Sequence, residues 1–243
     1  MKYKSIMSAT FLYRKNRFIS VCKKGFLELE VYVPNTGRCN ELLIHGTKVY
    51  LAYNDNPNRK TSYTLIMVQK GDKLINIDSQ APNTLVEEGL NNGKIDIGFS
   101  PTYIKREYTH GDSRFDFYIE GKNKKILLEV KGVTLENCGI TAFPDAPTKR
   151  GLKHIKGLVN SQDEYEAYIV FVIQMEDAKI FTPNYVTDKD FSETLKNAKE
   201  NGVNIIAYNC EVFKNEINIK EEIPVDLEEI WNLDLQNQKT NLK

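Results

Sequence analysis

Three residues in the middle of the chain have the types and spacing of a hydrolytic centre: Asp116, then twelve residues, then Glu129-Val130-Lys131. If Gly121-Lys122-Asn123-Lys124 form a hairpin loop, antiparallel partners satisfy i + j = 245, and Asp116 falls opposite Glu129. Strand alternation puts Glu129 and Lys131 on one face and Leu128 and Val130 on the other, with Phe115 and Phe117 flanking Asp116 in the same alternating way. Two carboxylates and an ammonium group then converge beside apolar residues. Such carboxylates repel each other and resist desolvation, so one holds a proton unless a cation joins them. Mg²⁺, or Mn²⁺ in its place, prefers oxygen ligands and keeps several waters, which suits a phosphate ester that brings further oxygens. The metal would polarise the phosphoryl group and lower the pKa of a bound water, while Lys131 orients that water or offsets the developing charge. Asp116, Glu129 and a helical acid, Glu88, are the expected ligands, with Glu87 as the substitute if the helix is rotated. On spacing alone, the same pattern also describes a structural ion pair on a strand.

Other residues could hold a polyanion. In FPDAPTKRGLKHI (143–155), Arg150 and His154 are four apart and share a helical face, and Lys149 and Lys153 share another. Near the N-terminus, Arg14, Lys15 and Arg17 interleave with Tyr13 and Phe18, a mixture suited to base stacking and phosphate contact. Arg38 follows the turn-forming Asn35-Thr36-Gly37, and Arg59 and Lys60 follow Asn56-Pro57 in a second loop. The bland alternative for these cations is a solvated surface around a barrel filled by the aromatics.

The elements that must position these groups fall into two parts. Over residues 10–33, FLYRKNRFISV and FLELEVYV read as two strands joined by a tight turn at Lys24-Gly25, and KVYLAY, SYTLIMV and KLINI follow at short intervals. About five strands without a long helix point to a small β-barrel of OB-fold type over 1–81. From Pro82 the pattern changes: Asn83 reads as an N-cap and Gly93 as a stop for a helix. Strands at TYIKREYT, SRFDFYIE and KKILLEVKGVTL follow, then a helix near 148–161, a buried strand AYIVFVI, a helix near 188–200 and a strand VNIIAYN. This mixture is an α/β domain over 82–225, α+β for the chain as a whole, with a polar tail at 226–243 that reads as a short helix or as disordered.

Composition narrows the choice. The chain has 243 residues and no formal net charge, which argues against coating nucleic acid by bulk charge. Yet residues 1–84 carry 13 Lys+Arg and 6 Asp+Glu, a basic half joined to an acidic one, as expected where one part binds a polyanion. Cys22, Cys39, Cys138 and Cys210 form no C-x-x-C pair and read as reduced thiols. No apolar run spans a bilayer and no secretory h-region opens the chain, so the expectation is a cytoplasmic protein with no membrane partner.

VPNTG (33–37), DNPNRK (55–60), APNTLVEEGL (81–90), SRFDF (113–117), LEVKGVTL (128–135) and FPDAPTKRG (143–151) together resemble the sugar fermentation stimulation protein A family in order and spacing, across residues 10–225. The resemblance implies an N-terminal OB-fold, a C-terminal domain similar to the PD-(D/E)XK nucleases, DNA as partner and an association with regulation of sugar metabolism. The nuclease pattern carries onto Asp116, Glu129 and Lys131, with Glu88 as the helical acid. Tyr32-Val33 and Leu65 depart from the family's usual His-Cys and Trp at those places. Two functions follow: a Mg²⁺- or Mn²⁺-dependent nuclease, or a non-catalytic DNA-binding regulator that keeps the nuclease fold. Simple binding to a polyanion would gain from losing carboxylates, which favours the first. Direct action on sugars finds no separate acid/base pair.

Overall fold

The computed structural model describes residues 1–35 and 37–231. Six strands come first: β1 (Ile6–Arg14), β2 (Ile19–Lys24), β3 (Leu27–Tyr32), β4 (Lys48–Tyr53), β5 (Tyr63–Lys70) and β6 (Lys73–Asn76). Antiparallel pairing runs β3-β2-β1-β4-β5-β6, and a parallel bridge from Tyr32 to Thr64 joins β3 to β5. The first five strands therefore close into the expected OB barrel, with Phe11, Val31, Leu51 and Leu65 buried in it. FLYRKNRFISV is not one strand. The Asn16 carboxamide oxygen accepts the N–H groups of Phe18 at 2.9 Å and Ile19 at 3.0 Å, a turn that folds the chain back so that Arg14 pairs with Ser20.

Next come α1 (Ala81–Asn92), β7 (Tyr103–His110), β8 (Ser113–Gly121), β9 (Lys124–Val133), β10 (Leu135–Asn137), β11 (Ile140–Phe143) and α2 (Lys149–Asn160). They are followed by β12 (Glu166–Ile173), β13 (Ile180–Pro183), α3 (Lys189–Glu200), β14 (Asn204–Phe213) and β15 (Glu216–Ile223). The main sheet has the order β15-β14-β12-β9-β8-β7. Its centre, β9, β12 and β14, is parallel, and its edges are antiparallel. β10, β11 and β13 form a smaller sheet within what reads in sequence as loop.

Alternation assigns the two faces of β9. Ile126, Leu128 and Val130 pack with Leu85 and Val86 of α1, whereas Leu127 and Val133 pack with Ile155 and Leu158 of α2 and Leu195 of α3. Glu129 and Lys131, between Leu127 and Val133 in this alternation, belong to the α2 face. The α1 helix begins two residues before the expected N-cap, with Gln80 at its start and Pro82 in its first turn, and ends at Gly93 with φ 75°. Asn83 is thus inside the helix and its side chain is free for other use.

Barrel and α/β domain share a core, since Phe11 and Leu65 belong to the same buried cluster as Ile155 and Phe171. Polar links reinforce it. Buried Gln174, just past β12, donates to Asn76 Oδ1 at 2.8 Å and to the Asp78 carbonyl at 3.0 Å. Gly37 approaches the α/β domain closely: a Cβ there would lie 2.3 Å from Asp145 Oδ2. Of the tail, residues 226–231 run beside β13, with Asp226 N–H donating to the Phe181 carbonyl at 2.9 Å. The reading for 232–243 lies outside the described residues. Cys22, Cys39 and Cys210 are buried thiols, and among the described residues no helix is long and apolar enough to cross a membrane.

Candidate functional site

The β8–β9 hairpin follows the expected register, from Gly121↔Lys124 to Phe117↔Leu128. One step further, where Asp116 would oppose Glu129, the ladder stops. The Val130 N–H donates instead to Asp116 Oδ2 at 2.8 Å. On the other side of β8, Glu107 adopts φ 54°, a left-handed residue in a strand that distorts the pleat at the same level. The distortion also overturns the expected placement of the flanking aromatics. Phe115 joins the α2-side cluster and Phe117 the α1-side cluster.

The α1 helix contributes Asn83, whose Nδ2 donates to Asp116 Oδ1 at 2.9 Å. Both oxygens of Asp116 therefore accept a hydrogen bond. Burial pushes this carboxyl above the ordinary range and the Glu129 charge adds to the rise, with the Val130 N–H, Lys131 and Asn83 opposing.

Glu129 is 3% exposed. Its Oε1 accepts from Lys131 Nζ, on its own strand, and pairs with His154 Nδ1 from α2. Burial acts to raise the Glu129 carboxyl, but Lys131 and His154 outweigh it and hold it below the ordinary range. Both partners crowd one oxygen, and Oε2 is buried without a hydrogen-bond partner. A buried carboxylate oxygen in that state carries the full cost of desolvation. His154 is itself buried, edge-on to Phe115 with ring centroids 6.1 Å apart. Its placement corrects the reading of His154 as an exposed phosphate contact beside Arg150: helix α2 turns it inward to the carboxylate.

Glu88 does not join this group. It is half-exposed and pairs with the N-terminal ammonium of Met1 at 2.9 Å; Met1 in turn bonds to Ile217 and Asn218 of β15, three strands from β9. Glu87, the substitute, turns to the opposite edge and pairs with Arg106 of β7 at 2.6 Å. The residue that α1 does send to the site is Asn83, which in sequence reads as a cap because Asn before an apolar run is an N-cap signal. Among the described residues no group of three or more His, Cys, Asp or Glu has a metal-holding arrangement. Asp116 and Glu129 are the two carboxylates present for such a role.

The expected polyanion contacts separate into three places. Arg14 is not a free cation: its guanidinium donates to the carbonyls of Arg17, Asn35, Gly37 and Arg38 at 2.7 to 3.1 Å, which ties down the loop after β3. Lys15 pairs with Glu30. Arg17 and Arg150 line one cleft of about 450 Å³ between the domains, which Gly132 of β9 also lines. Arg59 and Lys60 line a pocket on the barrel. Lys153 lies in a groove beside the β7–β8 turn with Lys149 and Lys156, and Arg38 is exposed.

A closed OB barrel joined through a shared core to an α/β domain, with a carboxylate pair, a lysine and a histidine at the β8–β9 hairpin, defines a two-domain class. The comparisons with known proteins specify it further. Residues 12–77 match the family described as the SfsA N-terminal OB domain, and residues 80–216 match the sugar fermentation stimulation protein RE domain. A sugar fermentation stimulation protein homolog of Clostridium beijerinckii is 50% identical over 230 residues, covering 93% of this chain and 100% of that one. Homologs from Ruminiclostridium cellulolyticum (50% over 228 residues, 93% of this chain and 100% of that one) and Clostridium botulinum (51% over 226 residues, 92% and 98%) are similar to the same extent. The solved structure of Pyrococcus furiosus SfsA in complex with Ca²⁺ superposes with a TM-score of 0.86 at 30% identity, covering 93% of this chain and 98% of that one. The chain belongs to the sugar fermentation stimulation protein family.

Proposed function

We propose that the chain is a DNA-binding protein with a divalent-metal-dependent nuclease centre of PD-(D/E)XK type, in which Asp116 and Glu129 hold Mg²⁺ or Mn²⁺. The observation that carries this reading is the unpartnered, buried Oε2 of Glu129 beside a carboxyl that its charge raises. A cation shared by the two would remove both penalties, and one or two carboxylates are the usual protein share of a Mg²⁺ site. The Ca²⁺ bound by the Pyrococcus furiosus relative supports a preference for a hard, oxygen-seeking ion.

When bound, the cation supplies positive charge against the phosphoryl oxygens and lowers the pKa of water held there. The chain's own residues do the rest. Asn83 and the Val130 N–H fix the rotamer of Asp116. His154 and Lys131 hold Glu129 ionised and occupy its Oε1, leaving the buried Oε2 without a partner. Lys131, half-buried and paired with Glu129, is suited to orient the attacking water or offset charge on the transferring phosphoryl group. Arg17 and Arg150, which both line the cleft, can position the flanking phosphates.

The test is incubation of the purified full chain with labelled DNA in Mg²⁺, Mn²⁺ or chelator. Metal-dependent cleavage that disappears in Glu129→Gln and Lys131→Ala is the expected result; activity that survives in Glu129→Gln sinks the assignment. A non-catalytic DNA-binding regulator of sugar metabolism is the second reading. It is favoured by the two oxygens of Asp116 being already bonded and by the absence of a third acid at the described site. In that case the wild-type chain binds DNA equally with metal or chelator and cleaves nothing.

A further inference from the structure

A pocket of about 900 Å³ opens on the barrel, away from the carboxylate pair. One wall is aromatic: Phe18 and Tyr32 lie nearly parallel, with centroids 6.5 Å apart and planes 16° apart. Phe18 is 43% exposed, an apolar face that the fold leaves open. The Arg59 guanidinium sits over the Tyr32 ring at 5.3 Å and is steadied by a 3.3 Å bond to Thr64 Oγ1. Both loops that build the wall are held by their own asparagines. Asn16 accepts two N–H groups of its turn, Asn54 takes the Asn56 N–H and Asn56 takes the Asn58 N–H, each at 3.0 Å. The platform is therefore preorganised before any ligand arrives.

This pocket and the inter-domain cleft share a wall. Asn16, Pro34 and Gln80 line the pocket, and their chain neighbours Arg17, Asn35 and Ser79 line the cleft. A strand leaving the pocket over these residues enters the cleft that Gly132 of β9 also lines.

An exposed Phe18 ring beside a partly buried Tyr32 that carries a guanidinium over its face recognises a flat π-system with negative charge nearby. A nucleotide has both. In a duplex the faces of the bases are covered by their neighbours and only the edges show in the grooves, so stacking on Phe18 requires an unpaired base. We propose that the barrel pocket seats an unpaired nucleobase against Phe18 and Tyr32, with its phosphate toward Arg59 and Lys60, so that the substrate is a single strand or the unpaired end of a duplex led into the cleft. The proposal rests on the nucleic-acid reading above and adds strandedness to it.

Fluorescence anisotropy in chelator, which separates binding from cleavage, tests it with four fluorescein-labelled probes: an oligodeoxythymidylate, an oligouridylate, a blunt duplex and an abasic strand. The wild-type chain should bind the oligodeoxythymidylate at least about tenfold more tightly than the duplex. Phe18→Ala should weaken that binding by about 5- to 100-fold, Phe18→Trp should retain it, and the abasic strand should bind wild type and both variants alike. Equal affinity for the oligouridylate assigns the site to unpaired nucleic acid in general; a weaker one assigns it to DNA. Phe18→Ala, with a circular-dichroism melt like that of wild type, binding the oligodeoxythymidylate as wild type does overturns the pocket. Equal binding of duplex and single strand overturns the strandedness while the nuclease reading stands. No binding to any probe overturns both.

Discussion

The backbone N–H of Val130 donates to Asp116 Oδ2 at 2.8 Å, at the point where the β8–β9 ladder gives out. Asp116 is thus both a candidate ligand and a substitute for a strand carbonyl, and the two roles predict different costs for different substitutions. Asp116→Asn keeps an acceptor for Val130, and Asn83 can present its carbonyl oxygen to the new amide, so stability should change by less than about 1 kcal/mol. Asp116→Ala leaves two donors without partners and should cost about 2 kcal/mol or more. Urea melts of both variants check the difference. Equal stabilities would show that the hydrogen bonds to Asp116 carry no structural weight.

Arg14 looks in sequence like a phosphate contact, but its guanidinium spans four carbonyls around the loop that faces Asp145. Replacing it should damage the barrel–domain junction more than the salt dependence of binding. Arg14→Ala is expected to lose about 2 to 3 kcal/mol of stability, since hydrogen bonds from a charged donor are among the stronger ones. The slope of log affinity against log salt should stay close to the wild-type value. A steep fall in that slope with an unchanged melt would return Arg14 to the ligand surface.

What the sequence encodes locally and what it leaves to tertiary docking follow a physical pattern. The barrel, the hairpin register and the three main helices are encoded locally, by alternation, turn residues and 3.6-residue periodicity, and each is found where those signals stand. The contents of the site divide differently. Glu129 and Lys131 share a strand face, so spacing alone joins them. Which residue α1 sends to the hairpin depends on helix rotation about its axis; the sequence pattern points to Glu88, with Glu87 as its substitute, and gives Asn83 to the cap. His154 is a similar case, because a polar residue four positions from Arg150 reads as surface until α2 is docked on β9. β10, β11 and β13 are strands of three or four residues with Gly, Asn and Pro between them, too short for periodicity to register.

Cations left free on α2 should set the salt dependence. Arg150 lines the cleft and Lys153 the groove beside it, and both are exposed. Each phosphate contact removed should lower the magnitude of the log affinity–log salt slope by about 1. Arg150→Ala with Lys153→Ala should therefore change it by about 2. Melting should stay as in wild type, because neither side chain is buried. An unchanged slope would direct attention to Arg59 and Lys60 on the barrel.

The junction between barrel and α/β domain has a pH dependence of its own. Glu136, on β10, is 5% exposed and accepts from Lys70 at 2.9 Å and Lys73 at 3.0 Å, residues of β5 and β6, and from the Gly139 N–H at 2.8 Å. Burial pushes its carboxyl up, but the Gly139 N–H and the two lysines outweigh it and bring it from 4.5 down to about 2. A carboxyl depressed on folding stabilises the folded chain above its unfolded value and loses that contribution as pH falls through the folded one. The stabilisation is thus complete above about pH 5 and decays between 4.5 and about 2. Glu136→Ala should cost about 3 kcal/mol at neutral pH, because it leaves two lysines without their buried partner. The difference from wild type should shrink steadily as the pH is lowered toward 2, since the wild-type carboxyl is then protonated as well. Denaturant melts of both proteins across that range measure the convergence. A difference that stays constant with pH would mean that Glu136 acts through packing and not through its charge.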